Sequence, residues 1–200
     1  MKRIVAFLGI FAVLLMTLSA CSRPNMDRLF VLPKPSEEFT RLREKIDEEL
    51  TGGAVYSAPT AGNYRQSVQL RDLDGDGVSE AIAFFSKTGE HPLKVCIYRD
   101  NGNGAYETVS VIEGGGTSIN SVYYTDMNGD GWDELIIGWR QTADVMLLSV
   151  YTLRDFAPTC IAVSDYTDYA AADLDGDKHD DLAIVRFDRA ALSGNVDLLR

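Results

Sequence analysis

The sequence predicts an all-β fold assembled from repeated antiparallel sheets of four strands, with one short helix in front of them. Three observations carry this expectation. A nine-residue acidic segment occurs three times, at 72–80, 126–134 and 173–181, so that successive copies start 54 and 47 residues apart. Each copy is followed at once by an apolar run, at 81–85, 135–137 and 182–185. From Gln66 onward, short β-prone stretches alternate with Gly- and Asn-containing turn signals, the pattern of sheets with buried faces.

Taken in order, the chain opens with Lys2 and Arg3 before an apolar run at 4–18. This is a secretory signal pattern, too short and wrongly flanked for a membrane span, and it sets residues 1–20 apart from the folded part. It ends in Leu18-Ser19-Ala20-Cys21, which resembles the lipobox of bacterial lipoproteins. The resemblance implies that Cys21 becomes the acylated first residue of the mature chain. The chain would then be held on the extracytoplasmic face of a bacterial membrane, or on the outer membrane of a cell that has one. Two or more acyl chains anchor firmly where one alone is marginal. Residues 21–35 contain Pro24, Pro33 and Pro35 and read as a tether.

Residues 36–50 turn helical. Ser36 suits an N-cap, Glu37 and Glu38 suit the positive end of the helix dipole, and Phe39, Leu42, Ile46 and Leu50 share one face. That stripe is expected to pack on the chain's own sheets or to cover an open edge. Gly52 and Gly53 end the helix, and 51–65 read as a connecting loop. The repeats occupy 66–200. Their first sheet draws on Val68 and Leu70, then 81–86, 93–99 and 106–112; the second on 118–125, 135–141, 145–153 and 158–163. The third begins at 166–172 and 182–187 and has 196–199 as its next strand, giving about two and a half to three units. Because the strand pattern runs to Arg200, the sequence suggests a truncated product of a longer gene, with an open arc covered by the helix or by a second copy as the alternative.

The repeated segment is where the chemistry lies. Oxygen-bearing side chains stand at its positions 1, 3, 5 and 9, and glycine at position 4. Hard Ca²⁺ takes six to eight oxygens from carboxylates, carbonyls and water. Alternate residues of a tightly curled loop can aim such oxygens at one centre, with the carbonyl of position 7 joining them. An EF-hand would need Glu at position 12, where this chain has Ala83, Ile137 and Ile184, so that class is excluded.

The segment instead resembles the FG-GAP/VCBS-type calcium-loop repeats of integrin-alpha-like β-propellers, in which the loop joins the first two strands of each blade. The resemblance covers about 66–200 and implies up to three Ca²⁺ sites. The implied side-chain ligands are Asp72, Asp74, Asp76 and Glu80; Asp126, Asn128, Asp130 and Glu134; and Asp173, Asp175, Asp177 and Asp181. Val78, Trp132 and His179 would add backbone carbonyls. The third loop departs from the pattern, with Lys178 where the others have Gly77 and Gly131, which predicts weaker binding there.

A net charge of −11 argues against nucleic acid and anionic lipid headgroups as partners. Thirteen of the 30 acidic residues lie in the three loops, so much of that charge belongs to the expected metal sites. Apart from Cys21, the cysteines are Cys96 and Cys160, both in apolar β-prone stretches and expected to be buried free thiols, with a disulfide between them as the alternative an export compartment would permit. Three functions compete: a lipid-anchored binding or scaffold module with a protein partner, a carbohydrate-binding module, and a calcium-dependent hydrolase. Tyr123, Tyr124, Trp132 and Trp139 would serve the second as stacking surfaces, although aromatics dominate β cores. Against the third, the only histidines are His91 and His179, and no catalytic grouping with either is legible. The expectation is a non-enzymatic module.

Overall fold

A computed structural model describes residues 36–188 and 191–199. The expected signal segment 1–20, the lipidation site Cys21 and the tether 21–35 lie outside the described residues. No described helix is long and apolar enough to cross a membrane.

Helix α1 spans Glu37–Thr51. Gly53 ends it in the left-handed region at φ 87°, where its N–H reaches the Leu50 carbonyl at 3.0 Å. The first sheet holds β1 (Val55–Tyr56), β2 (Val68–Arg71), β3 (Glu80–Ser86), β4 (Leu93–Asp100) and β5 (Tyr106–Gly114). The second is β6 (Ser118–Thr125), β7 (Glu134–Arg140), β8 (Met146–Thr152) and β9 (Thr159–Asp165), in that order. The third is β10 (Asp168–Ala172), β11 (Asp181–Asp188) and β12 (Ser193–Leu199). All pairings are antiparallel between sequence neighbours, apart from β1, which joins β3. The chain is therefore a row of propeller-like blades, and the described residues form no closed barrel. Strand β1 falls inside the stretch expected to be a loop: Val55 pairs with Ser86 and Tyr56 with Phe85.

Side-chain alternation builds the layers. On β3, Ala81, Ala83 and Phe85 face one way, with Cys96, Tyr98 and Tyr106, and are covered by Leu42 and Ile46 of α1. The intervening Ile82 and Phe84 face the second sheet and pack with Leu135, Ile137 and Trp139 of β7. On β7 in turn, Ile136 points the other way, to Leu182 and Ile184 of the third sheet. Each fully buried Ile, Leu or Phe among them is worth about 1.5–3 kcal/mol relative to exposure. Ion pairs from Lys94 to Glu49 (2.8 Å) and Arg41 to Asp100 (3.2 Å) clip α1 to β4. The helix thus caps the outer face of the first blade. Phe39 lines the same groove as Leu42, Ile46 and Leu50, as the stripe predicts, but is 54% exposed.

Candidate metal centre

All three acidic loops sit in the same place, between β2 and β3, β6 and β7, and β10 and β11, which are the first two strands of each blade once the two-residue β1 is set aside, and they share one internal wiring. The carboxylate of position 1 accepts the N–H of position 6: Gly77 to Asp72 (2.9 Å), Gly131 to Asp126 (2.9 Å), Lys178 to Asp173 (3.1 Å). Position 3 accepts from position 5, as Asp76 to Asp74 (3.2 Å), Asp130 to Asn128 (2.9 Å) and Asp177 to Asp175 (3.2 Å). Position 5 accepts from position 7, as Val78 to Asp76 (2.7 Å), Trp132 to Asp130 (2.9 Å) and His179 to Asp177 (2.9 Å). Position 9, the first residue of the following strand, closes the loop by accepting the N–H of position 2. These bonds run from Leu73 to Glu80 (2.9 Å), Met127 to Glu134 (2.8 Å) and Leu174 to Asp181 (3.1 Å). At positions 3, 5 and 9 one oxygen of each side chain shapes the backbone, and a carboxylate there has a second oxygen beside it. At position 1 of the second and third loops both oxygens serve the backbone, Asp126 Oδ1 accepting from Gly129 (2.7 Å) and Asp130 (3.2 Å) and Asp173 Oδ1 from Gly176 (2.6 Å).

The curl demands left-handed backbone at positions 4 and 6. Gly75, Gly129 and Gly176 have φ of 71°, 72° and 88°, and Gly77 and Gly131 have 88° and 86°. Lys178 is held at φ 79°, a conformation that costs a side-chain-bearing residue about 1–2 kcal/mol.

The loops differ in how well they suit a cation. In the first, Asp72, Asp74 and Glu80 each place an oxygen within 4.8 Å of the others. Glu80 is fully buried, and its Oε1 has no hydrogen-bond partner, nor has Asp72 Oδ1. A buried carboxylate oxygen without a donor is costly unless a cation faces it, so this donor set fits a hard metal ion. In the second loop Glu134 is equally buried, but its Oε1 accepts from the Asn128 amide at 2.9 Å. In the third, Asp173, Asp175 and Asp177 form an exposed cluster within the same 4.8 Å. Burial pushes the carboxyls of Glu80 and Glu134 above the ordinary range, opposed by the N–H bonds they accept from Leu73 and Met127.

Position 8 carries a role that the sequence did not reveal. Asp133 accepts a 2.6 Å bond from Arg71 Nε, and its own N–H donates to the Leu73 carbonyl at 2.9 Å, so the second loop is latched to the first. The Asp133 bond raises the Arg71 guanidinium further above its ordinary value. Asp180 repeats the device one blade on, accepting from Thr125 Oγ1 at 2.9 Å. The His179 ring also lies 2.7 Å from where a Cβ on Gly129 would be, so the second and third loops touch here and a side chain at 129 would require the ring to move. The three loops form one contiguous row.

Two arginines from elsewhere meet this row. Arg99, on β4, lies 3.0 Å from Asp76, 3.5 Å from Asp74 and 4.0 Å from Glu80. Arg154, in a single 3-10 turn after β8, lies 3.4 Å from Asp130. The aromatic residues considered for stacking are mostly structural. Tyr124 and Trp139 are buried in the core between blades, with Tyr124 donating to Gln69 Oε1 at 2.8 Å and Trp139 to Ser149 Oγ at 3.2 Å. Trp132 packs edge-on to Phe156, and Tyr123 packs between the second and third blades. Cys96 is buried as expected, but Cys160 is exposed, because it lies on the edge strand β9. Neither is in a disulfide.

Residues 72–137 match the family model of the FG-GAP-like repeat, a segment that runs from the first loop through the second and into β7. Among curated proteins, none matches the chain.

Proposed function

We propose that this chain is a lipid-anchored, extracytoplasmic calcium-binding module, in which metal stiffens a row of β-propeller blades that serves as a binding or scaffold surface for a protein partner. The observation that carries the calcium reading is Glu80: fully buried, one oxygen shaping the loop and the other without a donor. Asp72, Asp74 and Asp76 complete the first donor set; Asp126, Asn128, Asp130 and Glu134 the second; and Asp173, Asp175, Asp177 and Asp181 the third. The carbonyls of Val78, Trp132 and His179 would join them. The FG-GAP-like match over 72–137 supports the repeat itself.

Such sites stabilise the fold. Extracellular modules bind calcium with Kd of about 10⁻⁴–10⁻³ M. At free calcium tenfold above Kd, one site contributes about 1.4 kcal/mol. Three independent sites would contribute about 4 kcal/mol, a large share of a typical domain's stability. Millimolar Ca²⁺ is expected to raise the melting temperature by several degrees over the chelated protein, and Mg²⁺ to do so much less. An unchanged melting temperature would reduce the loops to acidic turns.

The membrane attachment rests on the Leu-Ser-Ala-Cys ending of the apolar leader. Cys21→Ser should abolish acyl labelling and leave the protein soluble or unprocessed; normal labelling of that variant would refute the anchor. The partner is read as protein rather than glycan because Tyr124 and Trp139 are committed to the core. A glycan-array hit with the calcium-loaded chain would reverse that choice, and turnover of an ester or glycoside would reverse the non-enzymatic reading.

A further inference from the structure

The first loop does not face solvent with its charges bare. Arg99 reaches it from β4, the third strand of the same blade, and sets its guanidinium within 4.0 Å of Asp74, Asp76 and Glu80 together. The other side of that guanidinium lies over the Phe156 ring, 5.1 Å from its centroid. Phe156 belongs to the second blade. It is buried in the core between the two blades, and its carbonyl accepts from Ser110 Oγ at 2.9 Å. Its ring meets Trp132, position 7 of the second loop, edge-on at 5.1 Å. Asp155 and Phe156 both sit in the left-handed region, at φ 54° and 56°. Two successive non-glycine residues there are strained, and packing around the Phe156 ring is what holds them.

We propose that Arg99 is a built-in counter-cation of the first loop: it neutralises the carboxylates of the metal-free chain, and Ca²⁺ enters by taking those carboxylates from it. This rests on the calcium reading of the loop and adds its regulation. Arg99 and a divalent ion compete for the same oxygens of Asp74, Asp76 and Glu80, so the guanidinium keeps the loop folded without metal and lowers its affinity. When the carboxylates are withdrawn, the aromatic face of Phe156 remains as the guanidinium's support, since such cation–π contacts persist at exposed sites. The arrangement also ties the first loop to the second, through Arg99, Phe156 and Trp132 in turn.

The test uses the full chain carrying Asp130→Ala and Asp177→Ala, which confine calcium binding to the first loop. Adding Arg99→Gln is expected to tighten calorimetric Ca²⁺ binding about tenfold, the change that roughly 1.4 kcal/mol of relieved competition corresponds to. In chelator the same substitution should lower the melting temperature clearly more than in saturating calcium, where only the contact with Phe156 is lost. A residue with a merely structural role would lower both equally. Arg99→Lys keeps a charge but not the planar fork, and serves as the second variant should Arg99→Gln fold poorly; its affinity is expected to fall between the two. Equal or weaker binding in the Arg99 variants overturns the counter-cation role. Absence of calcium binding in the parent protein instead overturns the metal reading beneath it.

Discussion

Replacing Glu80 by Gln should change the sign of its effect with the metal. The side chain is fully buried, Oε2 accepts the Leu73 N–H at 2.9 Å and Oε1 has no donor. Gln keeps the shape and can still accept from Leu73, but it removes a negative charge that burial opposes. Leaving a buried acceptor unsatisfied costs about 1–3 kcal/mol. Part of that is offset in the wild type by Arg99, whose Nε is 4.0 Å from Oε1, so we take about 1 kcal/mol as the gain in chelator. In calcium the substitution instead forfeits a site worth roughly 1.4 kcal/mol at tenfold over Kd. For a domain of this size, 1 kcal/mol moves the melting temperature by about 2–4 °C. Glu80→Gln should therefore melt about 2–4 °C above wild type in chelator and, with the two effects nearly offsetting, about 1 °C below it in millimolar calcium. Differential scanning calorimetry in the two buffers reads both. A variant that is destabilised equally in both would show that Glu80 serves only as a loop-closing acceptor and holds no metal.

Other outcomes follow from the same geometry. Lys178→Gly should raise metal-free stability by about 0.5–1 kcal/mol, the relief of left-handed strain less the greater freedom of Gly when unfolded; unchanged or lower stability would refute strain at that site. A double-mutant cycle on Arg71→Ala and Asp133→Ala should show a coupling of about 0.5–1.5 kcal/mol in denaturant melts, and additive effects would mean that the 2.6 Å pair does not latch the blades. The carboxyls of Glu80 and Glu134 are raised in the fold, so the unfolded chain releases those protons first. In chelator, their contribution is complete below the ordinary carboxylate value and is lost as pH rises from there through the raised folded values. Subtracting the stability–pH curve of a Glu80→Gln, Glu134→Gln double variant should isolate that loss, and superimposable curves would contradict it.

The repeats were legible because each loop advertises itself twice, by its oxygens at alternate positions and by the apolar strand that must follow. Every strand from β2 to β11 falls on a stretch that sequence alternation and turn signals identify, and β12 starts at Ser193, three residues ahead of the expected 196–199. Strand β1 was not legible: Val55 and Tyr56 stand among Gly, Ser and Pro, and they become a strand only because Phe85 and Ser86, about thirty residues later, offer an edge. The same separation hid Asp133 and Asp180. As sequence they are extra charges beside a ligand, and their role appears only when Arg71 and Thr125, 62 and 55 residues earlier, are brought beside them. Arg99 was equally silent, since nothing in a β-strand pattern says which loop the end of a third strand will meet. Cys160 was misread because an apolar stretch does not tell an edge strand from a central one.

Whether these loops hold calcium or merely turn the chain is read by a calorimetric titration of Ca²⁺ into the full chain stripped with chelator, with Glu80→Gln run beside it. Loops that hold calcium should give saturable binding of up to three ions, one fewer in Glu80→Gln, with Mg²⁺ much weaker. No binding heat in the wild type, or the same stoichiometry in the variant, would mean that the loops are turns and no more.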